Sequence, residues 1–433
     1  MKNLLFIAYY FPPMGMGGVQ RSVKFVKYLP EFGVEPTVLT VRDVHYHQHD
    51  PSLSADIADA RIIRTGSLDP LRILQTLKPH GRQTGPSAAA ASSAIEKWNR
   101  VLSRWVFIPD SKIAWIPFAV SAALRSARRI QFDAIFTTSP PHSAHLAGLL
   151  LQKALRVPWI ADFRDSWLME KFDRVPTRFH RMINDRLLRA VVGHADRLVA
   201  VSEPILSDLK GASDRSRDAF LCIPNGFDPE DFRDTAWTPS PKFRITYCGT
   251  ANPVHSPDDF FRGLHRTLGK RPDLRPQIEV RFVGSVTGID LDRMADAYGI
   301  RETICQTGYL AHSESLRWLM DSDLLLLVLP SDSSAGVVTG KLYEYLASGI
   351  PILGIIPDGE AKRLIRSYAR GITVHPDDPQ GIAGTLIRIL DLWKRGGWTG
   401  RLPGRGDVAL FDRRLQARNL AGIFDRISRS TRS

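Results

Sequence analysis

Cysteine is scarce. Cys222, Cys248 and Cys305 are the only three in 433 residues, and they are scattered. Without a Cys-x-x-Cys pair there is no disulfide framework and no thiolate zinc site, so a reducing, cytoplasmic setting is expected. Long apolar runs are lacking too. The purest, Leu324-Leu-Leu-Leu-Val-Leu329, has the length of a buried strand; a spanning helix needs about 20 apolar residues. The start, Met1-Lys-Asn-Leu-Leu-Phe-Ile-Ala8, has one basic residue and no small-residue cleavage site before Pro12. It reads as a first buried strand rather than a signal peptide.

Acid is in short supply relative to base: 45 Asp and Glu against 58 Lys and Arg leave a net charge of +13. Such a chain seeks phosphate in nucleic acid, anionic lipid or nucleotide. Zinc-finger spacing and an RNP-type aromatic strand are both missing, so nucleic acid is not expected. A nucleotide and an anionic membrane surface remain, beside the alternative of a plain solvated basic face. Basic residues are enriched from Lys97 to Arg129 and from Lys394 to Arg432.

What is present is alternation. Apolar runs at 4–9, 35–41, 133–137, 159–161 and 197–201 read as strands, with helical patterns at 19–32, 140–155 and 178–192 between them. A second series follows, with strands at 243–247, 278–283, 304–307, 324–329 and 352–355. Helical patterns intervene at 256–269, 313–320, 341–347 and 360–369, and two more, at 379–394 and 412–427, close the chain. Strand and helix in turn imply parallel, doubly wound sheets, with ligands at the carboxyl ends of the strands. The length suits two domains of roughly 200 residues. The turn-rich Ile223-Pro-Asn-Gly-Phe-Asp-Pro229 marks the exit from the first. Residues 80–93 are low in complexity and read as an insertion.

The most informative stretch is Thr339-Gly-Lys-Leu-Tyr-Glu-Tyr-Leu-Ala-Ser-Gly-Ile-Pro351. A loop of small residues feeds a helix at Gly340. Free N–H groups at a helix start suit a phosphate, and Lys341 adds a positive charge. Glu344, one turn on, can accept two hydrogen bonds from a vicinal diol such as ribose. The alternative is a plain Lys341–Glu344 ion pair. Gly15-Met-Gly-Gly18 follows the first strand, where glycine lets backbone approach a ligand; a dinucleotide fingerprint would need glycine where Gln20 stands. Ser139-Pro-Pro-His142 reads as a capped helix start, with Ser139 as N-cap, and His142 and His145 at helical spacing. The dipole there is expected to keep His142 neutral. Asp162-Phe-Arg-Asp165 follows a predicted strand, so its charges are either mutually paired or at a site. Trp167 offers an apolar wall for a sugar face. The segment Pro109–Pro117, with Trp98, Trp105 and Phe107 nearby, mixes charge and aromatics. Asp321-Ser-Asp323 reads as a strand cap rather than a metal motif.

These segments, with Phe11-Pro-Pro-Met-Gly-Met-Gly-Gly-Val-Gln-Arg21 and Tyr247-Cys-Gly249, come in an order that resembles the retaining GT-B glycosyltransferases, family 4 in particular. The resemblance implies two Rossmann-like domains facing across a cleft, at 1–225 and 226–411, with 412–433 as a helix crossing back to the first. It implies retaining, metal-independent transfer of a sugar from a nucleotide-diphosphate sugar to a glycan or lipid-linked acceptor, for a surface polysaccharide. No cofactor is implied beyond that donor substrate. Gly15, Gly17, Gly18, Gly249, Thr250, Gly340, Lys341 and Glu344 would bind the donor. His142, Asp162 and Asp165 would serve catalysis, and Arg164 and Trp167 the acceptor side. The protein would be cytoplasmic, peripheral at the inner face of the membrane. Two features depart from the family. Its Glu-x7-Glu has Gly336 in the first place, with Asp332 nearby as a substitute, and the loop Gly249–Ser256 carries neither Arg nor Lys. They leave a nucleotide-sugar epimerase and a non-catalytic nucleotide-sugar-binding relative as alternatives.

Overall fold

The computed structural model describes residues 1–15, 17–42, 49–50, 52–69, 105–167, 177–233, 237–332, 336–401 and 408–430. The low-complexity stretch at 80–93 and Trp98 lie outside them. The chain divides into two compact units. One comprises Met1–His49, Leu53–Pro224 and Gln416–Ser433, the other Asp50–Ser52 and Asn225–Leu415.

The first unit is built on a seven-stranded sheet. Its strands are β1 (Lys2–Ala8), β2 (Val34–Val41), β3 (Arg61–Thr65), β4 (Ala134–Ser139), β5 (Trp159–Phe163), β6 (Arg197–Ala200) and β7 (Phe220–Cys222). All pairs are parallel, in the order β3-β2-β1-β4-β5-β6-β7. Strands buried on both faces are apolar rather than alternating, which is why Leu4–Ala8 of β1 reads as a continuous run, while β4 ends on the buried polar residues Thr137, Thr138 and Ser139. One face packs on the helices Ile116–Ala127, Ser143–Leu155 and Arg178–His194, around Trp115, Trp159 and Leu151. The other packs on Gly17–Tyr28 and the last helix, Arg413–Ser430. That last helix buries Ala417, Leu420, Ala421, Phe424 and Ile427, a 3–4–7 spacing that presents one stripe to Phe6, Phe25 and Phe136.

The second unit repeats the plan with six strands. These are β8 (Phe243–Cys248), β9 (Ile278–Val283), β10 (Ile304–Gly308), β11 (Leu324–Val328), β12 (Ile352–Ile355) and β13 (Gly371–Val374), ordered β10-β9-β8-β11-β12-β13. Arg244 and Arg281 engage Asp321 and Asp323 near the amino end of β11, so this Asp-x-Asp pair is held by arginines.

Both orders reverse direction once, between β1 and β4 and between β8 and β11. The carboxyl ends of those strands are where a doubly wound sheet binds ligands.

Candidate functional site

In the second unit the reversal point is physically open. β8 and β11 pair only at Ile245↔Leu324 and Thr246↔Leu325, and beyond that the strands part. The buried Tyr345 hydroxyl occupies the gap. It accepts from Cys248 N–H at 2.9 Å and donates to the Leu326 carbonyl at 3.3 Å, replacing ladder bonds the parted strands cannot make. Burial drives the Tyr345 phenol well above its usual range.

Lys341 opens the helix Lys341–Ser348 and lies half-buried beside this gap. Its Nζ stands 3.9 Å from the centroid of the Tyr247 ring. Among the described residues it has no hydrogen bond and no ion pair. Burial brings its pKa down from 10.5 to about 8, and neighbouring Cys248 and Glu344 offset only part of that. Gly249 has a φ of +122°, and a Cβ there would stand 3.0 Å from Lys341 Nζ. The backbone conformation favours glycine, and a Cβ would crowd the tip of the Lys341 side chain. The loop that lacks Arg and Lys instead brings His255 into the field of Lys341. Burial, and then Lys341, hold His255 below the usual histidine range.

Glu344 is not the ion-pair partner of Lys341. Its Oε1 bonds His312 Nε2 at 2.9 Å, and His312 Nδ1 lies 3.8 Å from Asp231 Oδ2. Thr250 and Gly340 flank the site: the Thr250 carbonyl accepts from the Tyr247 hydroxyl at 2.9 Å, and Gly340 precedes the first helical residue. Gly336 and Asp332 are described, and Asp332 is exposed.

In the first unit the reversal point is filled. Asp162 does not follow β5 but lies within it and is fully buried. Its oxygens accept from Arg21 Nη2 and Nε at 2.8 and 3.1 Å and from Thr138 Oγ1 at 2.8 Å. A charged residue does not look like strand core in sequence; Arg21, 141 positions away, makes it one. Arg164 donates to the carbonyls of Ser139 (2.9 Å), Pro140 (3.1 Å) and Gly18, clamping the glycine loop to the turn after β4. Gly15 opens that loop, and Gly17 begins the helix Gly17–Tyr28. A Cβ at Gly18 would stand 3.1 Å from Arg164 Nη1.

Two expectations are corrected here. Ser139 is the last residue of β4, not an N-cap; the two prolines run outside the helix, which begins at Ser143. Asp110 caps it instead, accepting from Ser143 N–H at 2.9 Å and from its hydroxyl at 2.7 Å. Trp167 is not an open wall. It is buried, stacks on His142 with centroids 4.5 Å apart, and donates to Asn184 Oδ1 at 2.9 Å. His145 is the packed member of the histidine pair. Trp159 Nε1 donates to Thr137 Oγ1 at 2.9 Å, and the same oxygen shares a hydrogen bond with His145 Nδ1 at 2.7 Å. Burial, and then His142 and Arg164, hold His145 well below the usual range, so it is neutral. Asp165 is exposed and, among the described residues, has no hydrogen-bond partner.

Sequence reading passed over Arg21, Asp110, Tyr247, His255, His312 and Tyr345. All but His312 lie inside the quoted segments, but nothing local marks their role.

Two doubly wound units of this kind, with the last helix returned to the first, define the GT-B class. Residues 16–231 match the family described as Glycosyltransferase Family 4, and residues 242–392 match Glycosyl transferases group 1. A D-inositol 3-phosphate glycosyltransferase of Streptomyces scabiei is 25% identical over 235 residues, covering 51% of this chain and 50% of that protein. The chain spans between 35% and 50% of the length of the first such relatives. Among solved structures, sucrose-phosphate synthase from Thermosynechococcus elongatus superposes with a TM-score of 0.64 at 14% identity, over 99% of this chain and 100% of that one. A putative UDP-N-acetylglucosamine 2-epimerase from Listeria monocytogenes gives 0.55 at 11%, over 98% and 96%. At such identities these two likenesses speak to the fold alone. The chain belongs to the GT-B glycosyltransferase-like proteins and is related to the family-4 glycosyltransferases.

Proposed function

We propose that the protein transfers a sugar from a nucleoside-diphosphate sugar to a glycan or lipid-linked acceptor, with retention of configuration, in the synthesis of a surface polysaccharide. The observation that carries this reading is Lys341: a half-buried ammonium without an anionic partner among the described residues, at the mouth of parted strands. A group in that state costs free energy until an anion arrives. A diphosphate supplies one, and the helix that Lys341 opens adds its dipole, although the Leu342 and Tyr343 N–H groups already donate to the Thr339 and Gly340 carbonyls. Glu344, its carboxylate plane held by His312, keeps lone pairs for the ribose hydroxyls. Gly249 and Thr250 line the approach.

Catalysis is then chiefly positioning and stabilisation of the departing diphosphate, for which Lys341 and the helix dipole serve without a metal. On the first unit, His142 and Asp165 orient the acceptor hydroxyl. Asp162, Arg164 and Trp167 hold those two and the glycine loop of Gly15, Gly17 and Gly18 in place. The acceptor is presented at the cytoplasmic side of an anionic membrane surface; among the described residues, no helix is long and apolar enough to cross a membrane.

The experiment is calorimetry with UDP and GDP, followed by incubation of the sugar-charged forms with a lipid-linked glycan extract. Binding that falls in Lys341→Ala, with transfer in the extract, supports the reading. Donor isomerised without acceptor would replace transferase by epimerase. Binding without any chemistry would make the protein a nucleotide-sugar sensor. Unchanged affinity in Lys341→Ala would remove the donor site.

A further inference from the structure

One face of the first unit has a composition that the donor site leaves unexplained. The helices Ile116–Ala127, Ser143–Leu155 and Arg178–His194 lie side by side on the sheet. Together they carry Arg125, Lys153, Arg178, Arg181, Arg186 and Arg189, all exposed, against the single acid Asp185. Among the described residues, Arg178, Arg186 and Arg189 form no ion pair. Large apolar side chains stand between these charges. Phe179 is 60% exposed and Met182 46%, and Trp105, beside His180, is 55% exposed. Leu124 and Leu150 are also exposed, and they border an open groove of about 460 Å³ with Ile116 and Val120 along it and Arg125 and Arg128 at its rim.

Folding buries apolar residues where it can, so a helix layer with this much aromatic and aliphatic surface left in water marks a contact surface. The chemistry of the partner follows from the mixture. Arginines alone would suit a nucleic-acid backbone, but bulky apolar groups between them gain nothing from phosphates in water. A lipid interface answers both: Trp, Phe and Met enter the acyl boundary while the arginine heads meet phosphate headgroups. We infer that this three-helix face docks on an anionic phospholipid bilayer, with Trp105, Phe179 and Met182 inserted and Arg178, Arg186 and Arg189 on the headgroups. The inference gives the membrane reading above a specific surface, and it does not depend on Lys341.

The test is co-sedimentation with vesicles of phosphatidylcholine alone and of phosphatidylcholine mixed with phosphatidylglycerol. The protein is expected to bind the mixed vesicles, to bind the neutral ones about tenfold less, and to be released by high salt. Phe179→Ser with Met182→Ser, and separately Arg178→Glu with Arg189→Glu, should each lower binding to mixed vesicles by about tenfold or more. Far-UV circular dichroism and the thermal unfolding midpoint of each variant check that the protein is folded, and UDP affinity, measured separately by calorimetry, keeps this inference apart from the donor reading. No binding by the unaltered protein, or undiminished binding by both variants, would overturn it. A concentration-dependent dimer that the Phe179→Ser and Met182→Ser changes dissolve would reassign the face to a second copy of the chain.

Discussion

The two units use one topology in two ways, and their reversal points show the difference. In the first, β1 and β4 stay paired as far as Ala8↔Thr138, and the nearby charges satisfy one another. Arg21 and Asp162 form a buried pair, Arg164 is spent on three carbonyls, and His145 is neutral. In the second, β8 and β11 separate after Thr246↔Leu325, Tyr345 covers the exposed backbone groups, and Lys341 keeps its charge against a ring face. The proposed donor site is thus the reversal point that the protein leaves incomplete. The first has been built into a rigid support, and the second has been left short of one anion.

The largest effect that would break this comparison is in stability. Asp162→Ala strands Arg21 in the core and should cost roughly 3–5 kcal/mol, the scale for removing one partner of a buried ion pair. Denaturant unfolding would measure it. A loss below about 1 kcal/mol, the scale of an exposed ion pair, would mean that the first unit's charges are less interdependent than drawn.

Next comes Lys341→Ala. It should weaken nucleoside diphosphate binding by roughly 1.5–3 kcal/mol, the worth of a hydrogen bond to a charged group. It should not destabilise the free protein, because a desolvated charge is removed. The pH dependence has a definite sign. With the folded pKa near 8 and the ordinary value at 10.5, the unfolded chain is the one that holds this proton between those values. The lysine's cost to stability is therefore full below pH 8 and is relieved as pH rises towards 10.5. Diphosphate binding runs the other way, weakening as pH climbs through 8, with proton uptake on binding visible in calorimetry across buffers of different ionisation heat.

Tyr345→Phe tests the gap itself. It leaves Cys248 N–H without its acceptor in a buried strand end, at a cost of about 1–3 kcal/mol. Slower amide exchange at Cys248 than in the unaltered protein would contradict the bridging role. The smallest effect is at His312. His312→Ala should cost about 1 kcal/mol of nucleotide affinity, the scale of one net hydrogen bond, and the loss should vanish with a dideoxyribose nucleotide. An equal loss for both nucleotides would remove His312 from the ribose account.

Periodicity shows the strands that matter most. The run at 352–355 is read to the residue because a fully buried parallel strand is apolar from end to end, and 278–283 is read as well although Glu279 and Arg281 interrupt it. Short or half-exposed strands leave no such trace: β3 (Arg61–Thr65) and β13 (Gly371–Val374) went unread. Lys341 and Glu344 could be picked out because a helix start after small residues is a local pattern. Their partners could not, since His312 lies 32 positions from Glu344 and Tyr247 lies in another strand.

What the sequence determined alone was therefore everything governed by near neighbours: two alternating halves, buried parallel strands, helix starts placed for an anion, and too little cysteine or continuous apolar length for other classes. Only the tertiary structure decided which charges are spent and which are kept. Asp162 and Lys341 look alike as charged residues beside apolar runs. One meets an arginine 141 positions away and becomes core; the other meets an aromatic face and remains a cation. The reason is that electrostatic free energy depends on separation in space and on burial, neither of which order along the chain records.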